Sequence, residues 1–381
     1  MRIFMRIQAL DKVRGIILII MAMDHAKDMI GKNLNFQGEF WKGSYPIYDN
    51  PILFFTRLIA HICAPSFAFM MGLSMILLWN THKSKWAHES KVWQYFCSRG
   101  LILILFEIFI FSPIWSFIFK SPTINFGFAV IAMLGSLMIL SSFFIKRHWI
   151  VIFIAMVLSI FLPPLIVQTE LQKNENYNFF LKMLFFPDRI NFIYPIFPWF
   201  GVSLMGVLFG KILIKKEKFA FLSLLPLGIV FISLFTVTRF WGGVYFNSRD
   251  LRFINDTHWW NIFNMVKYPP SLSYLLFTLG IFFFLFFTVY SIEKYGSKKI
   301  FLISTILEIA NIYGKSTFFF YGVHLILYTF IGIILCDVLK WNSLSDIAYG
   351  WIIILAILYP LCKWYREFKK KQNENSLWRM L

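Results

Sequence analysis

Charged residues are scarce in this chain. Asp, Glu, Lys and Arg make up only 15% of its 381 residues, whereas hydrophobic residues make up 59% and mean hydropathy is +0.66. Such a composition excludes an ordinary soluble globular domain. The four cysteines lack metal-ligand spacing, and zinc, P-loop, nucleophile-elbow and dinucleotide-binding motifs are absent from the sequence. The sequence therefore predicts no metal site, and neither a fixed-period repeat nor a low-complexity linker divides the chain.

Apolar stretches of membrane-spanning length recur from one end of the chain to the other. The sequence therefore predicts one all-α domain over residues 1–381, a polytopic integral membrane bundle of about ten transmembrane helices in the lipid bilayer. The predicted spans are 13–30, 52–79, 101–118, 126–145, 149–167, 195–214, 219–237, 272–290, 316–338 and 345–362.

The formal net charge of +18 is distributed as in a membrane protein, so it indicates no nucleic-acid partner. With the N-terminus assigned to the cytoplasm, most of the 37 lysines and arginines fall in short loops on that side. This is the positive-inside asymmetry, and it predicts that both termini are cytoplasmic. The segment 298–315 is too short to span and lies between basic ends, which favours an interfacial or re-entrant helix.

The first predicted span carries Arg14 and His25, eleven residues apart. At 100° per residue this spacing returns both side chains to one helix face, and at a rise of 1.5 Å per residue it separates them by about 16–17 Å. A guanidinium then lies at the membrane edge and an imidazole lies deep inside. An ionisable residue at that depth indicates a functional site.

Three carboxylates accompany these two residues. Asp11 is expected to cap the helix, and it lies three residues from Arg14 on a neighbouring face. In a purely structural interpretation, Asp11 only caps the helix and Arg14 extends to a lipid phosphate. Asp28 can approach His25 from the next turn, and Asp24 is the poorer partner. A carboxylate beside histidine raises its basicity, as a general base requires, although a structural histidine also fits.

The second predicted span places Arg57 and His61 four residues apart, on one face, just before a helix break expected at Pro65. The pair can line an acceptor cavity, or Arg57 can simply neutralise Asp24 or Asp28. Glu107 and His324 lie near mid-span, where each must face the bundle interior. For both, structural hydrogen bonding and chemistry remain open.

Three long connections, residues 31–50, 168–194 and 239–271, are expected on the extracytoplasmic side. Their aromatic residues are either interfacial belt residues or a platform for a sugar ring. These aromatic residues are Trp41, Trp241, Trp259, Trp260 and Tyr268. A charged group in the same connections is expected to be a solvated surface, and it comprises Asp188, Arg189, Arg239 and Lys267.

The segment RIQALDKVRGIILIIMAMDHAKD (6–28) resembles the opening signature of bacterial membrane proteins related to the catalytic domain of heparan-α-glucosaminide N-acetyltransferase. Further similar blocks follow in order along nearly the whole chain. They are 54–72, 98–107, 194–206, 264–280 and 314–327. The spacing of Arg14 and His25 is also similar to the arginine–histidine motif of integral-membrane O-acyltransferases that acylate surface glycans.

The resemblance implies an enzyme of the bacterial cytoplasmic (inner) membrane that takes an acetyl or other acyl group from cytoplasmic acyl-CoA. The acceptor is a sugar amine or hydroxyl of an outward-facing glycan or glycolipid. It implies that Arg14, with Asp11 and His324, binds the acyl-CoA, a co-substrate whose phosphates suit a guanidinium.

For the chemistry, the resemblance implies His25 as general base or transient acyl carrier, oriented by Asp24 or Asp28. Arg57 and His61 would stabilise developing charge or bind the acceptor. The oligomeric state stays open, with a homodimer among the options.

A different class of protein also fits the intramembrane Asp, His and Arg residues. A transporter or flippase would use them as a proton relay, and would be expected to show inverted repeats with paired broken helices. Breaks are predicted at Pro65 and at 268–270, but the two halves of the sequence do not correspond.

Overall fold

The computed structural model describes residues 7–30, 48, 50–84, 89–118, 127–170, 179–187, 192–242, 258–296, 301–341, 343–373, 376 and 378. Within these ranges the regular structure is helical, apart from two isolated β-bridges. Most of the predicted connection 31–50 lies outside the described residues, as do Trp41, Asp188 and Arg189.

Fourteen α-helices are present in the described ranges, and they are numbered here in chain order. They are α1 (Gln8–Ile30), α2 (Pro51–Ala60), α3 (Cys63–Thr81), α4 (Glu89–Phe106), α5 (Ser112–Ile118), α6 (Val130–Ser142), α7 (Trp149–Glu170), α8 (Phe179–Leu184), α9 (Trp199–Lys215), α10 (Glu217–Trp241), α11 (Leu272–Tyr295), α12 (Phe301–Gly314), α13 (Thr317–Ile333) and α14 (Leu344–Lys371). A π-helical turn over Glu107–Phe111 joins α4 to α5, and another, Ile334–Val338, extends α13.

Each of the ten predicted spans falls on a helix, but six helical segments of the described chain are long and apolar enough to cross a membrane. These are Pro51–Thr81, Ser90–Ile118, Glu217–Trp241, Leu272–Tyr295, Thr317–Cys336 and Leu344–Lys371. The other four predicted spans fall on α1, α6, α7 and α9. Helix α1 differs from the six because it carries several charges, and α6 differs because it has only 13 residues.

Helix α1 lies at the centre of the fold, between two apolar cores. Val13 and Ile17 belong to one core, whereas Leu18 and Met21 belong to the other. The helix packs against α2, α3, α11, α12, α13 and α14. Its charged side chains are therefore held inside protein, which is where a polar residue at membrane depth is tolerated.

The segment predicted to be interfacial or re-entrant forms α12, a helix of 14 residues. Lys12 of α1 joins it to α11, because its ammonium pairs with Glu293 and lies 3.1 Å from Glu308. Partial burial alone would raise the pKa of Glu308, but hydrogen bonds from Asn311 and Lys12 outweigh it and hold that pKa below its ordinary value. These contacts fix α12 against the first turns of α1.

Two glycines bring the backbones of α1 and α12 together. A Cβ at Gly15 would lie 1.8 Å from the carbonyl oxygen of Ala310, and one at Gly314 would lie 1.8 Å from that of Asp11. Backbone atoms cannot yield as a flexible side chain can. Only glycine therefore permits this approach.

Replacing Gly15 with alanine is accordingly expected to lower the free energy of unfolding by about 1–3 kcal/mol, because α12 must move away from α1. A thermal melt of the detergent-solubilised protein measures the effect. Gly322→Ala is the matched control, since a Cβ there would meet its nearest neighbour at 3.5 Å. Equal melting temperatures for the two variants would contradict the close packing.

Candidate active site

Arg14 and His25 line the same cavity, which has a volume of about 990 Å³. Ligand pockets usually measure about 300–1,000 Å³, so this one has room for a large ligand. Both residues lie on α1, which runs without a break from Gln8 to Ile30. The axial spacing of about 16–17 Å expected for them therefore applies to the folded chain.

Arg14 is one of several basic side chains that line the cavity. Arg14 is 3.1 Å from Asp11 and also donates a hydrogen bond to Ser74 of α3. The same cavity is lined by Arg99, Lys315 and Lys369. Lys315 follows Gly314, the residue that touches the Asp11 backbone, so it lies beside this turn of α1. Several cations that line one cavity form a suitable site for phosphate groups.

Asp11 was expected to cap α1, but the helix begins three residues earlier, at Gln8. Asp11 therefore lies in the first turn, where a carboxylate still favours the positive end of the helix dipole. Its side chain is buried and pairs with Arg14. It orients the guanidinium at the edge of the cavity.

A cluster of ionic side chains lies at the His25 level of the cavity. Arg57 Nη1 is 3.1 Å from both carboxylate oxygens of Asp24, and Lys27 Nζ is 2.9 Å from one of them. Both basic residues are at least nine-tenths buried. Of the two partners considered for Arg57, the structure thus shows Asp24. Breaking such a buried pair on one side leaves an uncompensated charge.

His25 meets His324 of α13 inside the bundle. Nδ1 of His25 and Nε2 of His324 are 2.8 Å apart, and Nδ1 of His324 is 3.0 Å from the carbonyl oxygen of Phe320. His324 is fully buried behind His25 and is not one of the cavity-lining residues, although the sequence placed it with the acyl-CoA ligands. Among the described residues, His25 hydrogen-bonds with His324 and not with Asp28 or Asp24.

The expected helix break before Pro65 is present. Helix α2 ends at Ala60 and α3 begins at Cys63, so that Pro65 lies in the first turn of α3, where a missing N–H is tolerated. His61 lies in this break, buried, with its carbonyl accepting a hydrogen bond from the Tyr274 hydroxyl at 2.8 Å. Arg57 lines the cavity, whereas His61 is not one of the lining residues.

Two carboxyl groups in the cavity wall are incompletely hydrogen-bonded. Glu107 is fully buried, and its Oε2 accepts the backbone N–H of Ile131 at 2.9 Å, at the start of α6. Its Oε1, like Oδ1 of Asp28, is buried without a hydrogen-bond partner among the described residues. A buried unsatisfied oxygen is costly, so both can accept a hydrogen bond from a bound molecule.

Two basic residues that the sequence placed on a solvated surface are buried instead. Arg239 donates to the Ile262 carbonyl at 2.7 Å and so holds the 3₁₀ turn Trp259–Phe263. Lys267 lines the cavity, with its ammonium 5.1 Å from the ring centre of Tyr268 and 5.8 Å from that of Tyr194. The sequence did not reveal this burial, because the two prolines that follow Lys267 mark a turn or loop, and loops usually lie on the protein surface.

The aromatic residues of the third connection fall into two groups. The side chains of Trp241 and Trp259 are more than two-thirds exposed. Both an interfacial belt residue and a platform for a sugar ring require such exposure. Tyr268 is buried and lines the cavity, and its hydroxyl lies 3.2 Å from that of Tyr194. Tyr268 is thus a wall of the cavity and not a belt residue.

Within the described residues, His, Cys, Asp and Glu side chains do not gather in any group of three that could hold a metal ion. The ionisable groups that line the cavity include His25, the carboxyl groups of Asp28 and Glu107, and several cations. This set suits proton transfer beside an anionic ligand.

The family model for the catalytic domain of heparan-alpha-glucosaminide N-acetyltransferase matches residues 6–242, well over half of the chain. The chain therefore belongs to this family of transmembrane acyltransferases, and the resemblance seen in the sequence is confirmed. Comparison with curated proteins gives no match. The matched region runs from α1 through α10, so Lys267, Lys315 and Tyr321 are cavity residues supplied from beyond it.

Proposed function

We propose that this integral membrane protein transfers an acetyl or other acyl group from cytoplasmic acyl-CoA to a sugar amine or hydroxyl on the opposite face of the membrane. The acceptor would be a glycan or glycolipid. The observation that carries the proposal is that Arg14 and His25, on one unbroken helix, line a single cavity of about 990 Å³.

The donor would bind with its phosphates among Arg14, Arg99, Lys315 and Lys369, and with its acyl arm along the cavity toward His25. Guanidinium and ammonium groups recognise phosphate through charge-assisted hydrogen bonds. Asp11 and Ser74 orient Arg14 for this contact. The spacing of about 16–17 Å along α1 would leave the charged head near Arg14 and the thioester near His25.

In the transfer step, His25 takes the proton from the acceptor O–H or N–H as that atom attacks the thioester carbonyl carbon. The new C–O or C–N bond forms, the C–S bond breaks, and His25 returns its proton to the departing thiolate of CoA. Asp28 and Glu107 accept hydrogen bonds from donor groups of the substrates. Arg57 remains paired with Asp24, so that the opposite charges of these two residues near His25 compensate each other.

The proposed topology has ten membrane-crossing helices with both termini in the cytoplasm of a bacterial cell, in the inner membrane. It is supported by the coincidence of every predicted span with a helix and by the positive-inside asymmetry. On this arrangement the Arg14 end of the cavity faces the cytoplasm, where acyl-CoA is made. Lys267, Tyr268 and Tyr194 then lie toward the acceptor side.

Radiolabelled acetyl-CoA supplied to purified protein in liposomes tests this function. Cell-envelope glycan extract serves as the acceptor pool, and glucosamine and glucose serve as amine and hydroxyl probes. We expect label to appear on glycan, or free acetate to be released, at a rate above that of His25→Ala protein. If neither hydrolysis nor transfer exceeds that control, the acyltransferase proposal fails for this chain.

Replacing Arg14 with alanine is expected to raise KM for acetyl-CoA about tenfold or more while leaving kcat within a few-fold. The reason is that one hydrogen bond to a charged group contributes about 1.5–3 kcal/mol to binding. Steady-state kinetics with varied acetyl-CoA measures both constants. An unchanged KM, with normal protein yield, would place the donor phosphates elsewhere.

A further inference from the structure

We infer that His324 is a positioning residue that holds the His25 imidazole in the tautomer whose lone pair is on Nε2. The inference rests on the proposed role of His25 as general base. It assigns to His324 a function that acts through His25, and not by contact with acyl-CoA.

The chain of hydrogen bonds from the Phe320 carbonyl through His324 to His25 fixes which nitrogen of each imidazole carries a proton. The Phe320 carbonyl can only accept, so His324 Nδ1, 3.0 Å away, carries a hydrogen. In a neutral imidazole the other nitrogen is then an acceptor. That nitrogen, Nε2, is 2.8 Å from Nδ1 of His25, which must therefore donate. The remaining nitrogen of His25, Nε2, keeps its lone pair. The assignment applies to the neutral pair, the state from which a general base starts.

The ring geometry supports a hydrogen bond and not a stacking contact. The two imidazole planes are only 12° apart, yet the ring centres are 5.1 Å apart with the nitrogens at 2.8 Å. The rings therefore meet edge to edge in nearly one plane, where the N–H and the lone pair lie. The Trp115 ring packs against His25 with an interplanar angle of 84° and 4.9 Å between ring centres. This contact restricts rotation of the His25 ring out of that plane.

The charged neighbours of His25 do not replace His324 in this role. Asp24 is paired with Arg57 and Lys27. Lys267, in the connection before α11, interacts electrostatically with His25. Asp28 makes no hydrogen bond with His25 among the described residues. Of the described side chains, His324 is the one within hydrogen-bond distance of a ring nitrogen of His25.

The consequence for catalysis concerns which nitrogen faces the substrate. Nδ1 of His25 is occupied, and His25 lines the cavity, so Nε2 is the nitrogen available to take the acceptor's proton. When it does so, the positive ring retains its Nδ1–H bond to the His324 lone pair, which becomes charge-assisted and stronger. Without His324 the other tautomer is allowed, and it would present an N–H to the substrate where a base is needed.

Kinetics of three variants test the inference, with acetyl-CoA as donor and the envelope glycan extract as acceptor. His324→Phe keeps the ring shape but removes the acceptor, and we expect kcat to fall about 10- to 100-fold with KM for acetyl-CoA within about twofold. His324→Gln restores an acceptor oxygen toward His25 and should recover most of kcat. Tyr328→Phe is the control, because it removes a buried hydrogen bond from α13 to Ala22 of α1.

Equal losses of kcat in His324→Phe and Tyr328→Phe would reduce His324 to a packing residue, and a His324→Gln variant as slow as His324→Phe would contradict the acceptor role. Solid-state NMR of protein labelled with ¹⁵N-histidine reads the tautomer without any activity, with the His25 signals assigned by their loss in His25→Gln. We expect the His25 proton on Nδ1. A proton on Nε2 overturns the inference even in an active enzyme, whereas the expected tautomer in an inactive protein would overturn only the proposed function.

Discussion

His25→Ala is expected to lower kcat for acyl transfer by a factor of about 10²–10⁴, the usual contribution of a positioned general base. The substitution removes the only imidazole on the cavity wall among the described residues. Binding of acetyl-CoA should persist, because the phosphates would be held about 16–17 Å away along α1. Initial rates and equilibrium binding of labelled acetyl-CoA, measured on the same preparation, separate the two effects.

His148→Ala serves as the control for this prediction. His148 is exposed and lies just before α7, away from the cavity, so its removal should leave the rate unchanged. A His25→Ala protein that binds acetyl-CoA and still transfers at more than a tenth of the wild-type rate would show that another group takes the proton.

Arg57→Leu is expected to destabilise the protein by about 3 kcal/mol, since removing one partner of a buried ion pair leaves the other without compensation. The loss should lie at the low end of the usual range, because Lys27 remains 2.9 Å from Asp24. Reversible unfolding in a denaturing detergent measures the free energy. A variant as stable as the wild type would mean that Asp24 does not depend on Arg57.

A double-mutant cycle that combines Arg57→Leu with Asp24→Asn tests whether the loss of stability comes from the ion pair. The single variants each leave one charge of a largely buried pair without its partner, whereas the double variant removes both members of the pair. We expect the double variant to lose less than the sum of the two single losses, with an interaction energy of about 0.5–3 kcal/mol. Strict additivity would show that the 3.1 Å contact contributes nothing measurable.

The positions of the helices could be predicted because the relevant signals are local. Each apolar run in the sequence marks a helix or two helices that follow directly on one another, and the spacing of Arg14 and His25 depends only on the geometry of α1. The break before Pro65 follows from the proline itself. The pairing of Arg57 with a carboxylate of the first span also follows, because a buried guanidinium needs such a partner.

The partners of the site residues could not be predicted because they are set by packing between distant segments. His324 is 299 residues from His25 in the chain, and its contact depends on how α13 lies against α1. Lys267 looked like a loop cation, but the chain around Tyr268 folds inward beside Tyr194. The start of α1 at Gln8 was missed because a sequence marks the ends of a helix less sharply than its interior.

The continuity of α1 also bears on substrate selection. In the proposed mechanism, the rigid helix would set a fixed distance between Arg14, which would bind the phosphates of the donor, and the His25 base, so that neither could shift to suit a different donor. Selectivity for acyl-chain length would then depend on the space beyond His25, which Trp115 and Tyr321 line. Smaller side chains at those two positions should thus broaden the range of chain lengths without altering affinity for the nucleotide portion of the donor.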